Sequence, residues 1–334
     1  MRLIEDHEVE LEPLKERAVA IIGYGNQGRA QALNLRDSGI DVQIGSVRDA
    51  GAERAEADGF SCVSIESACD NADVLALLIP DEVQRAVYDS TIAPRLRAGH
   101  VLDFAHGYNV HFGHIRAPSD VDVVMVAPRM IGAAVRTSFE RGKGAPCYVA
   151  VEQDASGNAR DIALAFAKGI GATRAGVLET TFALETELDL FAEQGVWPII
   201  MRDMIMSFEV LVEAGFPPEM VTLELWGSGE ASEIFKQMAR RGIVNQMRLH
   251  SQTSQYGTMS RGERMLSEDA RDRLRAALAE IRSGKFAQEW ADEQAAGYPN
   301  FHALRDAAEA HPVNEAELLG REMIERAGLL TDTE

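Results

Sequence analysis

The sequence predicts an α/β domain built on a parallel sheet, followed by an all-helical domain. Three observations carry this reading. Short apolar runs alternate with helix-like stretches over roughly the first half of the chain, the pattern of strands joined by crossover helices. Glycines such as Gly39 and Gly59 punctuate that alternation. From about Thr186 the apolar spacing becomes long and helical, and no strand pattern is evident. With 334 residues the chain has room for two domains, placed at 1–182 and 183–330.

The elements follow in order. Ala18–Ile22 (AVAII) is a short apolar strand that runs into glycine. Gln27–Ser38 has helical spacing, with Ala30, Leu33 and Leu35 apolar. Asp41–Ile44 is a second strand, and Ala50–Asp58 is an alanine-rich, charged helix. Val74–Ile79 and Val101–Phe104 are further strands with a helix, Glu82–Tyr88, between them. Val121–Ala127 and Cys147–Val151 complete the series. Such alternation implies parallel strands covered on both faces. In the second half, helices are expected at Glu187–Ala214, Pro218–Met238, Ala270–Arg282 and Glu315–Ala327.

Composition narrows the function. Hydrophobic residues at 46% and charged residues at 26% are the mix of an ordinary globular protein, which argues against disorder or a disulfide scaffold. A net charge of −20 repels phosphate backbones and anionic lipid, so neither nucleic acid nor membrane is an expected partner. A basic pocket can still override that field for a small anionic substrate. Three cysteines, Cys62, Cys69 and Cys147, show no metal-type spacing and suit a reducing compartment. The start MRLIEDHEVELEPL lacks the form of a signal peptide, and VLALLIP at 74–80 is too short to span a bilayer. The expected location is cytoplasmic.

Gly23-Tyr24-Gly25-Asn26-Gln27-Gly28 follows the first strand and opens the first helix. GxGxxG in that setting is the dinucleotide fingerprint of a Rossmann domain. Gly23 permits the turn, Gly25 lets the backbone approach a pyrophosphate, and Gly28 lets helix and strand pack closely. The helix N-terminus adds N–H groups and a positive dipole end. Nucleotide choice falls to Arg48 and Asp49, after the second strand. Asp49 suits ribose hydroxyls and repels a 2′-phosphate; Arg48 suits that phosphate or stacks on adenine. With one base and only Ser46 in support, the balance leans to NADH.

Asp189 and Glu193 are four apart on an expected helix, so both carboxylates share one face among apolar flanks. Paired carboxylates of this kind suit a hard divalent cation such as Mg²⁺, although acidic helix faces are also common as plain solvated surface. Glu224, Glu230 and Glu233 follow in LELWGSGEASE. Glu230 and Glu233 share a face. Glu224 and Glu230 are about 240° apart on a regular helix and converge only if Gly227-Ser228-Gly229 interrupts it. His106, His111 and His114 form HxxxxHxxH, which reads as a metal site or as loop histidines. His106 stands out because it follows the carboxyl end of a strand, where open α/β sheets place their ligands.

Taken together, these residues resemble the short, single-repeat form of ketol-acid reductoisomerase (acetohydroxyacid isomeroreductase). The resemblance runs nearly end to end: AIIGYGNQG at 20–28, DFAHGYNVH at 103–111, QDASGNA at 153–159, GVLETTFALETELDLFAEQ at 176–194, LVEAG at 211–215 and AHPVNEAELLG at 310–320. It implies an NADPH- or NADH-binding Rossmann domain, a knotted helical domain, active sites shared between two subunits of a homodimer or larger oligomer, and two Mg²⁺ ions. By position, Asp189 and Glu193 match the first metal-binding pair and Glu230 one acid of the second. Ser251 matches the serine that holds the substrate carboxylate, and His106 the histidine near the reacting centre.

Two departures bear on this. The family's Ala-Pro-Lys motif is here Ala127-Pro128-Arg129, followed by Ile131 in place of proline. Arg129 occupies a catalytic position with a group that is always charged. Around the second acid pair the chain has two extra residues, and Trp226 takes the register of the family's other glutamate, with Glu224 two positions earlier. The second metal is therefore expected to be held differently, by Glu224 or Glu233 with Glu230, or to be absent. The implied reaction is an alkyl migration in a 2-hydroxy-2-alkyl-3-keto acid of the acetolactate type, with an ionised Glu230 or a metal-bound hydroxide as the candidate to take the 2-hydroxyl proton. Reduction to the 2,3-dihydroxy acid of branched-chain amino-acid synthesis follows. The alternatives are a diverged relative that reduces another metal-chelated keto acid or imine without the shift, and a non-catalytic nucleotide-binding protein.

Overall fold

Nine strands of the first half form one sheet, in the order β1 (Leu3–Ile4), β9 (Val177–Glu179), β8 (Cys147–Gln153), β7 (Asp122–Pro128), β6 (Val101–Phe104), β5 (Val74–Leu77), β2 (Val19–Ile22), β3 (Val42–Gly45), β4 (Cys62–Val63). The computed structural model describes residues 1–328; residues 329 and 330 of the expected helical domain lie outside them. It divides into two compact units, Met1–Leu188 and a second beginning at Asp189, with the division inside helix Phe182–Phe191.

In the first unit, β4, β3, β2, β5, β6 and β7 are all parallel. The alternation of β2 shows how the sheet is held. Val19 and Ile21 enter one buried cluster, while Ala20 and Ile22 enter the other on the opposite face. The sheet is mixed rather than wholly parallel. β8 runs antiparallel to β7, with Cys147 opposite Pro128 and Gln153 opposite Val123, and β1 runs antiparallel to β9. The reason lies in the β7–β8 connection. Its helix, Gly132–Glu140, packs against helix Asn26–Asp37 instead of crossing the sheet, so β8 starts where β7 ends. An apolar run does not encode the direction in which it is threaded. The strands β1, β4 and β9, two or three residues long, carry too little pattern to be anticipated.

The second unit is helical throughout its described residues. The helix expected over Glu187–Ala214 is two helices, Phe182–Phe191 and Trp197–Glu213, joined by a π turn at Ala192–Val196. Pro198 in the first turn of the second helix lacks the N–H that a continuous helix needs, which accounts for the break in register. The stretch expected as Pro218–Met238 is likewise divided. It comprises Pro218–Thr222, a π turn at Leu223–Gly227, and Glu230–Arg241 after Gly229 at φ +82°. The three-residue glycine segment does interrupt the helix.

Candidate active site

The glycine turn closes β2 as its composition requires. Gly23 sits at φ +95°, and a Cβ on Gly28 would lie 2.2 Å from the Gly23 carbonyl oxygen. Gly25 caps helix Asn26–Asp37, and open space surrounds the point where its Cβ would be. That space belongs to a cleft of about 560 Å³ lined by Gly23, Gly25, Ser46, Asp49, Leu78 and Pro80. It lies at the carboxyl ends of parallel strands, where a dinucleotide fits: small residues admit the pyrophosphate and a helix N-terminus faces it.

The side chains around the cleft divide the work. Asp49 caps helix Ala50–Ala57, its Oδ1 accepting from the Ala52 amide at 2.9 Å. Arg48 is largely exposed and pairs with Glu56 at 2.9 Å. Tyr24 meets the cleft mainly with its backbone, because its buried phenol turns inward and donates to Asp58 at 2.9 Å. Arg29 donates to the same carboxylate at 2.7 Å. Burial, then Asp58, push the Tyr24 hydroxyl well above its ordinary pKa. The Arg29 hydrogen bond holds Asp58 below the usual carboxylate range. Gln27 directs its amide to the Met130 carbonyl at 2.8 Å.

A second constellation lies beyond the carboxyl ends of β6 and β7. Glu185, on helix Phe182–Phe191, has no side-chain exposure. Its Oε1 accepts from the Arg129 guanidinium at 2.9 Å, and its Oε2 from the Gly107 amide at 3.0 Å. The His106 Nδ1 reaches both oxygens, at 3.2 and 3.0 Å. An ionised carboxylate only accepts, so Nδ1 carries the proton and Nε2 is the acceptor nitrogen of the ring. The helix is brought close by Phe182, which packs edge-on against Phe104. A Cβ on Gly107 would meet the Thr186 Oγ1 at 2.5 Å, so only glycine allows this approach. Arg129 also lies over the Tyr148 ring, 5.2 Å from its centroid.

Glu185 was not singled out from the sequence. The available signal was the acid ladder Glu185, Asp189, Glu193 at four-residue intervals. In the structure Asp189 lies one turn beyond Glu185 on the same helix, with ligand oxygens of the two within 4.8 Å. Glu193 falls in the π turn and is exposed. Carboxylate oxygens of this kind suit a hard dication.

The other predicted site residues occupy the second unit. Glu224 lies in the π turn Leu223–Gly227, and Glu230 begins the helix after Gly229; both are exposed. Glu233 is engaged on its own helix by Lys236 at 3.1 Å and Gln237 at 2.6 Å. The Trp226 indole donates to Glu317 at 2.8 Å, so this side chain is part of the packing of its unit. Ser251 caps helix Gln252–Met265, its Oγ accepting from the Ser254 amide at 3.2 Å. The histidine series separates: His106 turns to Glu185, while His114 contacts Asn109 at 3.3 Å and His111 lies tilted against the Phe112 ring.

Beneath this constellation, Asp103 on β6 is 1% exposed. Among the described residues neither oxygen makes a hydrogen bond of normal geometry. Burial raises its carboxyl pKa well above the ordinary value, and the nearby Val126 and Phe104 amides pull it back only in part.

Residues 13–176 match the family model of the acetohydroxy acid isomeroreductase NADPH-binding domain, and residues 182–326 that of the ketol-acid reductoisomerase C-terminal domain. A ketol-acid reductoisomerase (NADP(+)) of Pyrobaculum neutrophilum is 46% identical over 324 residues, 96% of this chain and 98% of that protein. One from Methanocaldococcus jannaschii is 43% identical over 332 residues, 98% of this chain and 99% of its own. The solved structure of an NADH-preferring ketol-acid reductoisomerase from an uncultured archaeon superposes with a TM-score of 0.93 at 40% identity, covering 96% of this chain and 99% of that one.

Proposed function

The chain belongs to the ketol-acid reductoisomerase family, and from that premise we propose that it converts acetolactate-type 2-hydroxy-2-alkyl-3-keto acids to 2,3-dihydroxy acids in branched-chain amino-acid synthesis. The observation that carries the reading is the convergence of His106 and Arg129 on buried Glu185, one turn before Asp189.

Residues 1–182 bind NAD(P)H, and 183–330 supply metal ligands and the oligomer contact. The nicotinamide supplies the hydride for the reductive half-reaction. When bound, Mg²⁺ supplies Lewis-acid stabilisation of negative charge developing on the substrate oxygens. Asp189 and Glu193 hold one ion, with Glu230 and Glu224 the donors for a second. Glu185 fixes the His106 tautomer and the Arg129 fork, so both groups enter the reaction already oriented. Glu230 takes the 2-hydroxyl proton, and Ser251 receives the substrate carboxylate.

The nucleotide is NADH. Asp49 presents a carboxylate at the cleft, and Arg48 is already paired with Glu56. The working unit is a homodimer or larger homo-oligomer, in which a second copy of the helical half completes each site. In support, Trp197, Met201, Val210 and Tyr256 of the second unit are all 51–68% exposed. Cys62, Cys69 and Cys147 are unbridged, in keeping with a cytoplasmic enzyme; no helix of the described residues is long and apolar enough to cross a membrane.

The test is substrate-dependent oxidation of NADH and NADPH with acetolactate, with and without Mg²⁺. Turnover that requires Mg²⁺ supports the reading. Oxidation with only the rearranged 2-keto-3-hydroxy acid rejects the alkyl shift and keeps the reductase, the outcome that the lysine-to-arginine change at 129 motivates.

A further inference from the structure

Residues Arg129–Ile131 form a three-residue arm between β7 and helix Gly132–Glu140. Its two ends are attached to different parts of the site. At the start, the Arg129 amide donates to the Pro146 carbonyl at 2.7 Å and its guanidinium holds Glu185. At the end, Gly132 is pressed against the first turn of the nucleotide helix, so closely that a Cβ would lie 1.9 Å from the Asn26 carbonyl oxygen. Between them, Gln27 donates to the Met130 carbonyl at 2.8 Å. Gln31, fully buried one turn on, donates to the Gln27 Oε1 at 3.1 Å and so sets which end of the Gln27 amide faces the arm. Met130 and Ile131 themselves are 41% and 66% exposed, with little packing of their own to hold the arm in place.

We propose that Gln27 is a positioning residue that couples the nucleotide-binding helix to the Arg129 arm, so that filling the glycine turn orders the group that holds Glu185. The inference rests on the nucleotide-binding reading. Its physical basis is short. A ligand that settles on the first turn of helix Asn26–Asp37 restrains Asn26 and Gln27, and these are the two residues that touch the arm. Restraint passes through one hydrogen bond and one backbone contact, both to segment 130–132.

Hydrogen–deuterium exchange of the full chain, with and without NADH, tests this independently of turnover. In the parent chain NADH is expected to slow exchange at residues 23–28 and, by about threefold or more, at 129–135. In Gln27→Met, at saturating NADH, protection at 23–28 is retained and that at 129–135 is lost. Equal protection of the arm in both chains overturns the coupling. So does protection at 23–28 of the parent without any change at 129–135, a result that needs no variant to fold. If NADH protects neither segment of the parent, the nucleotide-binding reading itself fails.

Discussion

The Arg129 guanidinium stands 2.9 Å from a Glu185 carboxylate oxygen that has no solvent exposure. The pair is asymmetric, because Arg129 keeps 30% of its side chain exposed while Glu185 keeps none. Glu185 cannot recover hydration if its partners leave, and it is also the acceptor for His106 and the Gly107 amide. Its carboxylate is thus the hub, and the Arg129 and His106 side chains are its dependants.

Replacing that hub is therefore expected to cost more than replacing either spoke. Glu185→Gln keeps the shape but puts an amide N–H where a donor already points. Stability to urea should fall by about 3 kcal/mol, the scale for removing one member of a buried pair. Activity should fall with it, since the one remaining amide oxygen cannot accept from Arg129, His106 and the Gly107 amide together. A loss under about 1 kcal/mol with full activity would mean that the hydrogen bonds are incidental.

Asp103 gives a prediction of opposite sign. Its carboxyl is held protonated by burial, well above the ordinary value of 3.8. Above that value the unfolded chain has released this proton while the native chain keeps it, so rising pH favours unfolding. The native contribution is full below the unfolded pKa and is lost as pH climbs towards the folded one. Asp103→Asn cannot ionise and removes that slope. Urea titrations between pH 4 and pH 8 should show parent and variant converging at the acid end, with the variant the more stable at neutral pH. A variant less stable at pH 8 than the parent, by more than at pH 4, refutes this account.

How much of this was legible in the sequence follows from how far apart the interacting residues lie. Gly23 and Gly28 act through local sterics, a positive φ and a close approach of helix to strand, both of which depend on neighbours in sequence. Glu185 meets Arg129 and His106 across 56 and 79 positions, and nothing in its neighbourhood announces either partner. Tyr24 could be placed at the cleft, but its inward turn to Asp58 depends on a residue 34 positions away. The reversal at β8 depends on Gly132 docking on Asn26, again a distant contact. The break at Gly229 was readable as a condition because glycine alone tolerates that backbone easily, whereas the π turn before Trp197 required weighing one missing N–H at Pro198 against a strong helical pattern.

The inward turn of Tyr24 makes a kinetic prediction. Tyr24→Phe removes one hydrogen bond to Asp58, worth about 1 kcal/mol, and frees the turn that Arg29 and Asp58 hold from below. The nucleotide KM should rise several-fold with kcat nearly unchanged, because the phenol does not face the reacting atoms. A fall in kcat at an unchanged nucleotide KM would place the hydroxyl in the chemistry instead.

The acid ladder of helix Phe182–Phe191 and its π turn allows the metal reading to be separated from the nucleotide reading. Asp189 and Glu193 are on or beside that helix, and neither lines the glycine-turn cleft. Asp189→Asn should therefore leave NADH binding intact, by fluorescence titration, while abolishing Mg²⁺-dependent turnover. Mg²⁺ should raise the melting temperature of the parent chain, since a ligand that binds only the native state stabilises it by mass action. The rise should shrink or vanish in Asp189→Asn, and EDTA should reverse it in the parent. If Mg²⁺ shifts the parent and the variant by the same amount, these carboxylates are solvated surface and the ion, where it binds, is held elsewhere.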